Sequence, residues 1–100
     1  MTTQLRLLHG RRPDGAPALT AVGEIDMSNA ATFSSALTEA VGQVGAGPLI
    51  VDLTAVEYID SAGLAALFEH VERIQLRAGP LLAPVLTISG LTDLTTVDGV

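Results

Sequence analysis

A serine and two aspartates at the ends of apolar segments are the residues that could do chemistry in this chain. Asp60 and Ser61 come shortly after the β-branched run Leu49 to Leu53, and Asp26 follows an earlier apolar run. Beyond Ser61 the apolar residues recur at steps of three and one, the spacing of one helix face, at Leu64, Leu67, Phe68, Val71 and Ile74. A lone hydroxyl therefore lies where a strand leads into a helix, which we expect to begin at about Ser61.

Two interpretations of Asp60-Ser61 follow, and they are compatible. In the first, a side-chain oxygen caps the helix by accepting one of the backbone N–H groups that a helix start leaves unpaired, a contribution of roughly 1 kcal/mol. In the second, the Ser61 hydroxyl is a modification site, because the carboxyl ends of strands are where α/β folds bind their ligands.

Catalysis by Ser61 would require a base within hydrogen-bond reach, and the histidines are His9 and His70. His70 lies nine residues along the same predicted helix, which is about 13 Å at 1.5 Å per residue, and His9 lies on the first strand. Glu69, His70 and Glu72 lack the repeat spacing of metal ligands and indicate a solvated helix face. We therefore expect no enzymatic activity, no cofactor and no metal.

Accepting a phosphate requires much less of the chain, because the kinase brings ATP and Mg²⁺. Ala62 and Gly63 leave room for its approach to Ser61. The phosphate would add about −1.5 to −2 charges beside Asp60 and near Asp26. A partner surface that had covered the neutral serine would then have to desolvate a dianion, so a local change would weaken an interface.

The elements that position these residues can be predicted from turn-forming and helix-capping residues and from the spacing of the apolar residues. We expect an edge strand over Gln4 to His9, a Pro-Asp-Gly turn, and a strand over Ala18 to Ile25 that returns antiparallel to the first. Ser28 or Asn29 then caps a first helix, which ends near Gly42 to Pro48. The run Leu49 to Leu53 predicts a buried strand of a parallel sheet.

The later elements follow from the same signals. The second helix is predicted to run to about Ala78, where Gly79-Pro80 ends it. Leu81 to Leu86, interrupted by Pro84, predicts a last strand at a sheet edge, and Val85 to Leu94 predicts a short third helix. A right-handed crossover brings the carboxyl ends of parallel strands to one edge, so Asp26 and Asp60 should share it with Ser61. We call this edge the carboxyl rim.

Composition limits the classes of function. The 100 residues include 48% hydrophobic residues, no cysteine and no lysine, with a net charge of −6. Without lysine there is no Walker A phosphate loop, and the negative charge with three aromatic residues argues against nucleic-acid binding. No apolar run approaches the roughly 20 residues of a membrane span, and the N-terminus lacks a signal pattern. We expect one cytoplasmic domain over residues 1–100, without membrane insertion.

Two motifs resemble the markers of the STAS domain, the module shared by sulfate transporters and bacterial anti-sigma factor antagonists. Val51 to Thr54 with Val56 to Leu64 is similar to the family signature, and Val22-Gly23-Glu24-Ile25-Asp26 is similar to a second marker, a strand closing on Gly-x-x-Asp. The resemblance implies an α/β fold with a mixed β-sheet in the order β-β-α-β-α-β-α and helices packed on the sheet.

The resemblance further implies an anti-sigma factor antagonist. In such a protein the unphosphorylated form binds an anti-sigma factor of the serine-kinase type and releases the sigma factor, phosphorylation at Ser61 switches binding off, and a phosphatase resets the switch. The residues expected to contact the partner lie at the carboxyl rim: Asp26, Ser28, Asn29, Asp60, Ser61, Ala62, Gly63 and Leu64.

Two alternatives remain open. The first is a constitutive STAS interaction module of a signalling scaffold or transport complex, in which Ser61 only caps its helix. The second is a small-ligand binder or enzyme at the rim, which a metabolite would stabilise in the absence of a partner.

Overall fold

The computed structural model describes residues 4–45 and 47–99, and its frame is a five-stranded mixed sheet in the order β1-β2-β3-β4-β5. Strand β1 pairs antiparallel with β2, and each later pair is parallel. The strands are β1 (Arg6–Arg11), β2 (Pro17–Ile25), β3 (Leu49–Ile59), β4 (Ile74–Ala78) and β5 (Val97–Asp98). The predicted fold class, an α/β domain with a mixed sheet and packed helices, is confirmed.

The helices pack on one face of this sheet. They are α1 (Ala30–Gln43), α2 (Ser61–Glu69), α3 (Ala83–Ser89) and α4 (Leu91–Leu94), and a 3-10 turn over Val71–Arg73 follows α2. One core cluster unites buried residues of every helix, among them Phe33, Leu67, Leu86 and Leu91, with alternate residues of β2, β3 and β4. In β2, Leu19, Ala21, Gly23 and Ile25 are buried whereas the residues between them are partly exposed. This alternation is that of a strand with one face on a core.

Two irregularities bring the ends of β2 and β3 into line. Ala18 pairs with Ile50 at the start of the strands and Ile25 pairs with Ile59 at their end, so β3 uses two more residues than β2 between these points. The register shifts lie between Thr20 and Val22 and between Gly23 and Glu24. Gly23 has a φ of 111°, a backbone conformation that favours glycine and recurs in bulges. The strand ends therefore lie side by side, and Asp26 and Asp60 follow them.

The predicted second helix is wrong in its length. Helix α2 ends at Glu69, not near Ala78, and the His70 backbone N–H caps it by donating to Leu67 O and Phe68 O. Ile74 to Ala78 form β4 instead, buried at alternate positions. Val71 and Ile74 fit the helical spacing by coincidence, because Ile74 also begins an alternating strand pattern.

The predicted last strand over Leu81 to Leu86 is also wrong. Leu82 precedes α3 and Pro84 lies in its first turn, where proline is tolerated because the missing N–H would be unpaired anyway. The predicted third helix exists, but Gly90, with a φ of 91°, divides it into α3 and α4. The short strand β5 was not predicted. None of the helices in the described part of the chain is both apolar and long enough to cross a membrane.

Candidate functional site

Asp60 caps helix α2, and Ser61 does not. Asp60 Oδ1 accepts hydrogen bonds from the backbone N–H groups of Ala62 at 3.0 Å and Gly63 at 3.2 Å. Ser61 is the first helical residue and is exposed. Within residues 4–45 and 47–99 its hydroxyl makes no hydrogen bond to another group. The cap is therefore complete without Ser61, and its hydroxyl faces solvent.

The structure brings Asp26 and Asp60 to neighbouring strand ends, as predicted. The Asp60 N–H donates to Ile25 O at 3.1 Å, which ties the start of α2 to the end of β2. In the loop after β2, Asn29 Oδ1 accepts from the Asp26 N–H at 3.0 Å, and Asn29 Nδ2 donates to Glu24 O at 2.9 Å. These bonds fix the two loops of the carboxyl rim to the sheet and to each other.

The prediction for the start of α1 is right in the N-cap position but wrong in the hydrogen bond, because no side chain caps this helix. Asn29 occupies the N-cap position, but its side chain makes no capping bond to the first turn, and neither does that of Ser28. The Ser28 backbone N–H and hydroxyl instead both donate to Asp26 Oδ1. Asp26 O accepts from the N–H groups of Asn29 and Ala30. The polar side chains thus fold the loop itself, because Asx turns compete with capping for the same oxygens.

The remaining rim residues predicted to contact a partner differ in exposure. Ala62 and Leu64 are half-buried, and Gly63 is buried within the first turn of α2. Met27, which the sequence analysis did not single out, lies between Asp26 and Ser28 with 83% of its surface exposed. Its place in a turn between a strand and a helix, where no periodicity buries it, was the available signal.

His70 lies between two helices and is partly buried, which differs from the solvated position predicted for it. Its Nε2 is 3.0 Å from Thr38 Oγ1 in α1, and its Nδ1 is 3.1 Å from Ala66 O in α2. The ring therefore connects α1 to the end of α2 and is far from Ser61 along the helix. In the part of the chain that the structure describes, no three His, Cys, Asp or Glu side chains come together as metal ligands would.

Replacing the cap residue should destabilise the fold without any change at Ser61. Asp60→Ala is expected to lower the free energy of unfolding by about 1 kcal/mol, because it removes the acceptor for two helix N–H groups. Urea denaturation measures this loss. Asp60→Asn, which keeps a capping oxygen, and Ser61→Ala should each stay within about 0.5 kcal/mol of the parent protein. Equal losses for Asp60→Ala and Ser61→Ala would contradict the assignment of the cap.

The carboxylate of Asp26 should titrate at lower pH than an ordinary aspartate. The hydrogen bond from the Ser28 hydroxyl, followed by that from its backbone N–H, lowers the pKa of Asp26 below its usual value of 3.8. Because the folded state has the lower pKa, this stabilisation is present above pH 3.8 and is lost as the pH falls through the lowered value. A ¹³C NMR titration measures the pKa, and Ser28→Ala should move it back towards 3.8. Titration of Asp26 at or above that value in the parent protein would contradict the prediction.

Comparison with known proteins places this geometry in a family. The profile of the STAS domain matches residues 10–83. The anti-sigma-F factor antagonist RsfB of Mycobacterium tuberculosis is 42% identical over 64 residues, which cover 61% of this chain and 49% of RsfB. The chain thus spans about half the length of the curated relatives it matches.

Solved structures show the same fold. An anti-sigma factor antagonist from Mycobacterium paratuberculosis superposes with a TM-score of 0.85 at 26% identity, covering 97% of this chain and 87% of the other. SpoIIAA in its unphosphorylated form superposes at 0.70, and Bacillus SpoIIAA in the phosphorylated form at 0.64. Both are 15% identical and cover 92% of this chain, with 87% and 90% of SpoIIAA covered, a likeness in fold. With the profile matching most of its length, this chain belongs to the STAS domain family.

Proposed function

We propose that this chain is an anti-sigma factor antagonist controlled by phosphorylation of Ser61. In its unphosphorylated form it binds an anti-sigma factor of the serine-kinase type at the carboxyl rim, which frees the sigma factor. The kinase then phosphorylates Ser61 and ends the binding, and a phosphatase restores it. The proposal includes a cytoplasmic protein of one STAS domain over residues 1–100 that acts by binding and carries no catalytic site of its own.

The observation that carries this proposal is the separation of capping from the exposed hydroxyl. Because Asp60 already satisfies the N–H groups of Ala62 and Gly63, the Ser61 hydroxyl is accessible to a kinase without loss of the cap. The names of RsfB and of the Mycobacterium paratuberculosis protein support the partner class, and a protein of this fold has been solved in a phosphorylated form.

A phosphate on Ser61 would find little internal neutralisation. Helix starts favour anions through their unpaired N–H groups, but Asp60 Oδ1 occupies two of these groups, and the Leu64 N–H donates to Asp60 O. Arg11 and Arg12 lie at the far end of the sheet, and Arg73 donates to Gly45 O. Arg6 pairs with Val22, three residues before the end of β2, and Arg77 pairs with Asp52, seven residues before the end of β3, so neither follows a strand end as Asp26 and Asp60 do. The two negative charges would therefore remain on the surface beside Asp60 and Asp26, where a partner meets them.

The remaining rim residues suit a surface that a partner covers. Met27 projects next to Ser28 and offers a flexible apolar side chain of the kind that fills a pocket in a partner. Ala62 adds no bulk beside Ser61, so a flat partner surface can approach the start of α2. The surface we propose therefore combines one apolar anchor with one switchable hydroxyl.

The test is phosphorylation by the cognate anti-sigma factor with ATP, followed by mass spectrometry. We expect one phosphate, located at Ser61, and none on Ser61→Ala. Ser35→Ala is the matched control, because Ser35 is an exposed serine in the middle of α1, outside the rim, and its loss should leave the reaction intact. A phosphate on Ser61→Ala, or co-purification with transporter components in place of a kinase, would overturn the proposal in favour of a constitutive STAS module.

A further inference from the structure

A concave site lies at the edge of the sheet opposite Ser61. Strands β2 and β3 are parallel, so their starts, Pro17 and Leu49, lie at the edge opposite the carboxyl rim. A cavity of about 260 Å³ opens there between the β1-β2 hairpin and the last turn of α1. Its polar lining includes His9, Arg11 and Gln43. Neither the proposed function nor the capping of α2 uses this cavity.

The cavity exists because β1 extends past the end of α1. Leu5 and Leu7 point to the helical side of the sheet and pack against the core. His9 and Arg11 follow at the same period of two, and so lie on that side as well. Helix α1 ends at Gln43, so no helix covers them. The strand therefore presents the His9 imidazole and the Arg11 guanidinium over an open space whose floor includes the buried Ala40 and Leu49.

The charge around this cavity opposes the charge of the whole chain. The net charge is −6, yet two of the five arginines, Arg11 and Arg12, lie at this end of the β1-β2 hairpin, whereas Arg6 pairs with Val22 towards the opposite edge of the sheet. Asp14 is the one acid between residues 4 and 23. It is already engaged, since its Oδ2 is 3.9 Å from Arg12 Nε and its Oδ1 accepts from the Ala16 N–H. The positive charge of Arg11 is therefore left without a compensating acid in its own hairpin.

Arg11 is held in place without a carboxylate partner. Its Nη1 donates to Gly15 O at 2.9 Å, and this is its one side-chain hydrogen bond among the described residues. A guanidinium has five N–H donors in a planar fork, so four remain for a ligand. Carboxylates match that fork with paired, charge-assisted hydrogen bonds.

We infer that this cavity binds a small carboxylate, with its anionic end at Arg11 and His9 and an apolar body against Pro17 and the floor of the cavity. A cavity of about 260 Å³ has room for a small aromatic carboxylate such as benzoate. The carboxylate could belong to a free small molecule or to the C-terminus of a peptide.

An NMR titration of the ¹⁵N-labelled full chain with benzoate tests the site, with benzamide as the uncharged isostere. We expect saturable shifts at His9, Arg11, Ala18 and Gln43 with benzoate and none with benzamide. Arg11→Gln should weaken binding by about tenfold or more, whereas Arg12→Gln, the neighbouring arginine outside the cavity, should change it by less than about twofold. Both substitutions are at the surface, and the dispersion of each spectrum reports whether the variant is folded.

A second arm distinguishes the source of the carboxylate. Acetyl-Leu-Ala with a free C-terminus is compared with its C-terminal amide and with benzoate. Tighter binding of the free-acid peptide than of benzoate assigns a peptide terminus, and the reverse assigns a free small molecule. The inference is overturned if no probe gives saturable shifts, if benzamide equals benzoate, or if Arg12→Gln weakens binding as much as Arg11→Gln does.

Discussion

Phosphorylated protein is expected to bind its anti-sigma factor at least about 100-fold more weakly than the unmodified protein, a difference of about 2.7 kcal/mol. The reason is desolvation. The Ser61 hydroxyl is exposed, so a partner can cover it at little cost, but a phosphate dianion without matching arginines costs several kcal/mol to bury. Isothermal titration calorimetry with the two forms of the protein measures the difference.

Substitutions at Ser61 separate charge from shape. Ser61→Ala should bind within about threefold of the parent protein, and Ser61→Asp should lose at least about tenfold, since it adds one of the two charges. Ser35→Asp makes the same charge change at another exposed serine, in the middle of α1, and should leave the affinity nearly unchanged. Equal affinities for phosphorylated and unmodified protein would refute the switch and leave a constitutive interaction module.

Gly63→Ala should lower the free energy of unfolding by about 1–3 kcal/mol, because the space beneath the start of α2 is already filled. A Cβ at Gly63 would lie 2.6 Å from Ile59 Cγ1 and 2.7 Å from Ile25 Cγ2. Ile25 and Ile59 are 0% and 5% exposed, so neither can move aside without disturbing the ends of β2 and β3. Chemical denaturation measures the loss.

Gly42 supplies the matched control for this substitution. It lies near the end of α1, it is exposed, and a Cβ placed there would meet no atom within 4 Å. Gly42→Ala should therefore stabilise the protein by about 0.5–1 kcal/mol, the ordinary gain of alanine over glycine in a helix. The two substitutions share their chemistry and differ only in the space available. Equal stability of both variants would show that the packing at Gly63 tolerates a methyl group.

The start of α2 could be predicted from sequence because its signals are local. The period of the apolar residues changes at Ser61, and an aspartate that can cap lies one position before it. Both signals agree with the structure. The alignment of Asp26 with Asp60 followed from the general geometry of parallel strands, although the two register shifts that produce it, including the one at Gly23, were not visible in the sequence.

The end of α2 could not be predicted because tertiary contacts determine it. Neither glycine nor proline marks Glu69, and the apolar spacing continues through Val71 and Ile74. His70 occupies the C-cap position, and its ring meets Thr38 at a separation of 32 residues along the chain, a contact that no local pattern reveals. Likewise, Leu82 and Leu86 are both buried and lie four residues apart, which is a helical spacing. Pro84 lies between them and favoured the prediction of an interrupted strand, although proline is also common in the first turn of a helix.

The hydrogen bonds at the carboxyl rim could be predicted only in part from the sequence. The sequence left open whether Ser61 or Asp60 caps the helix, since both residue types have suitable oxygens. In the folded protein, Asp60 Oδ1 makes the capping bonds. The cavity at the edge opposite the carboxyl rim depends on where α1 ends relative to β1. Its lining residues are as far apart along the chain as His9 and Leu49, and they meet only after the chain has folded.

The division of roles between Asp60 and Ser61 also bears on how such a protein can evolve. Asp60 makes the capping hydrogen bonds, so a substitution at position 61 is expected to be close to neutral for folding. Under the proposed phosphorylation of Ser61, a single codon change there would gain or remove control by a kinase without a compensating change elsewhere in the domain. Selection on signalling and selection on stability would then act on adjacent but separate residues.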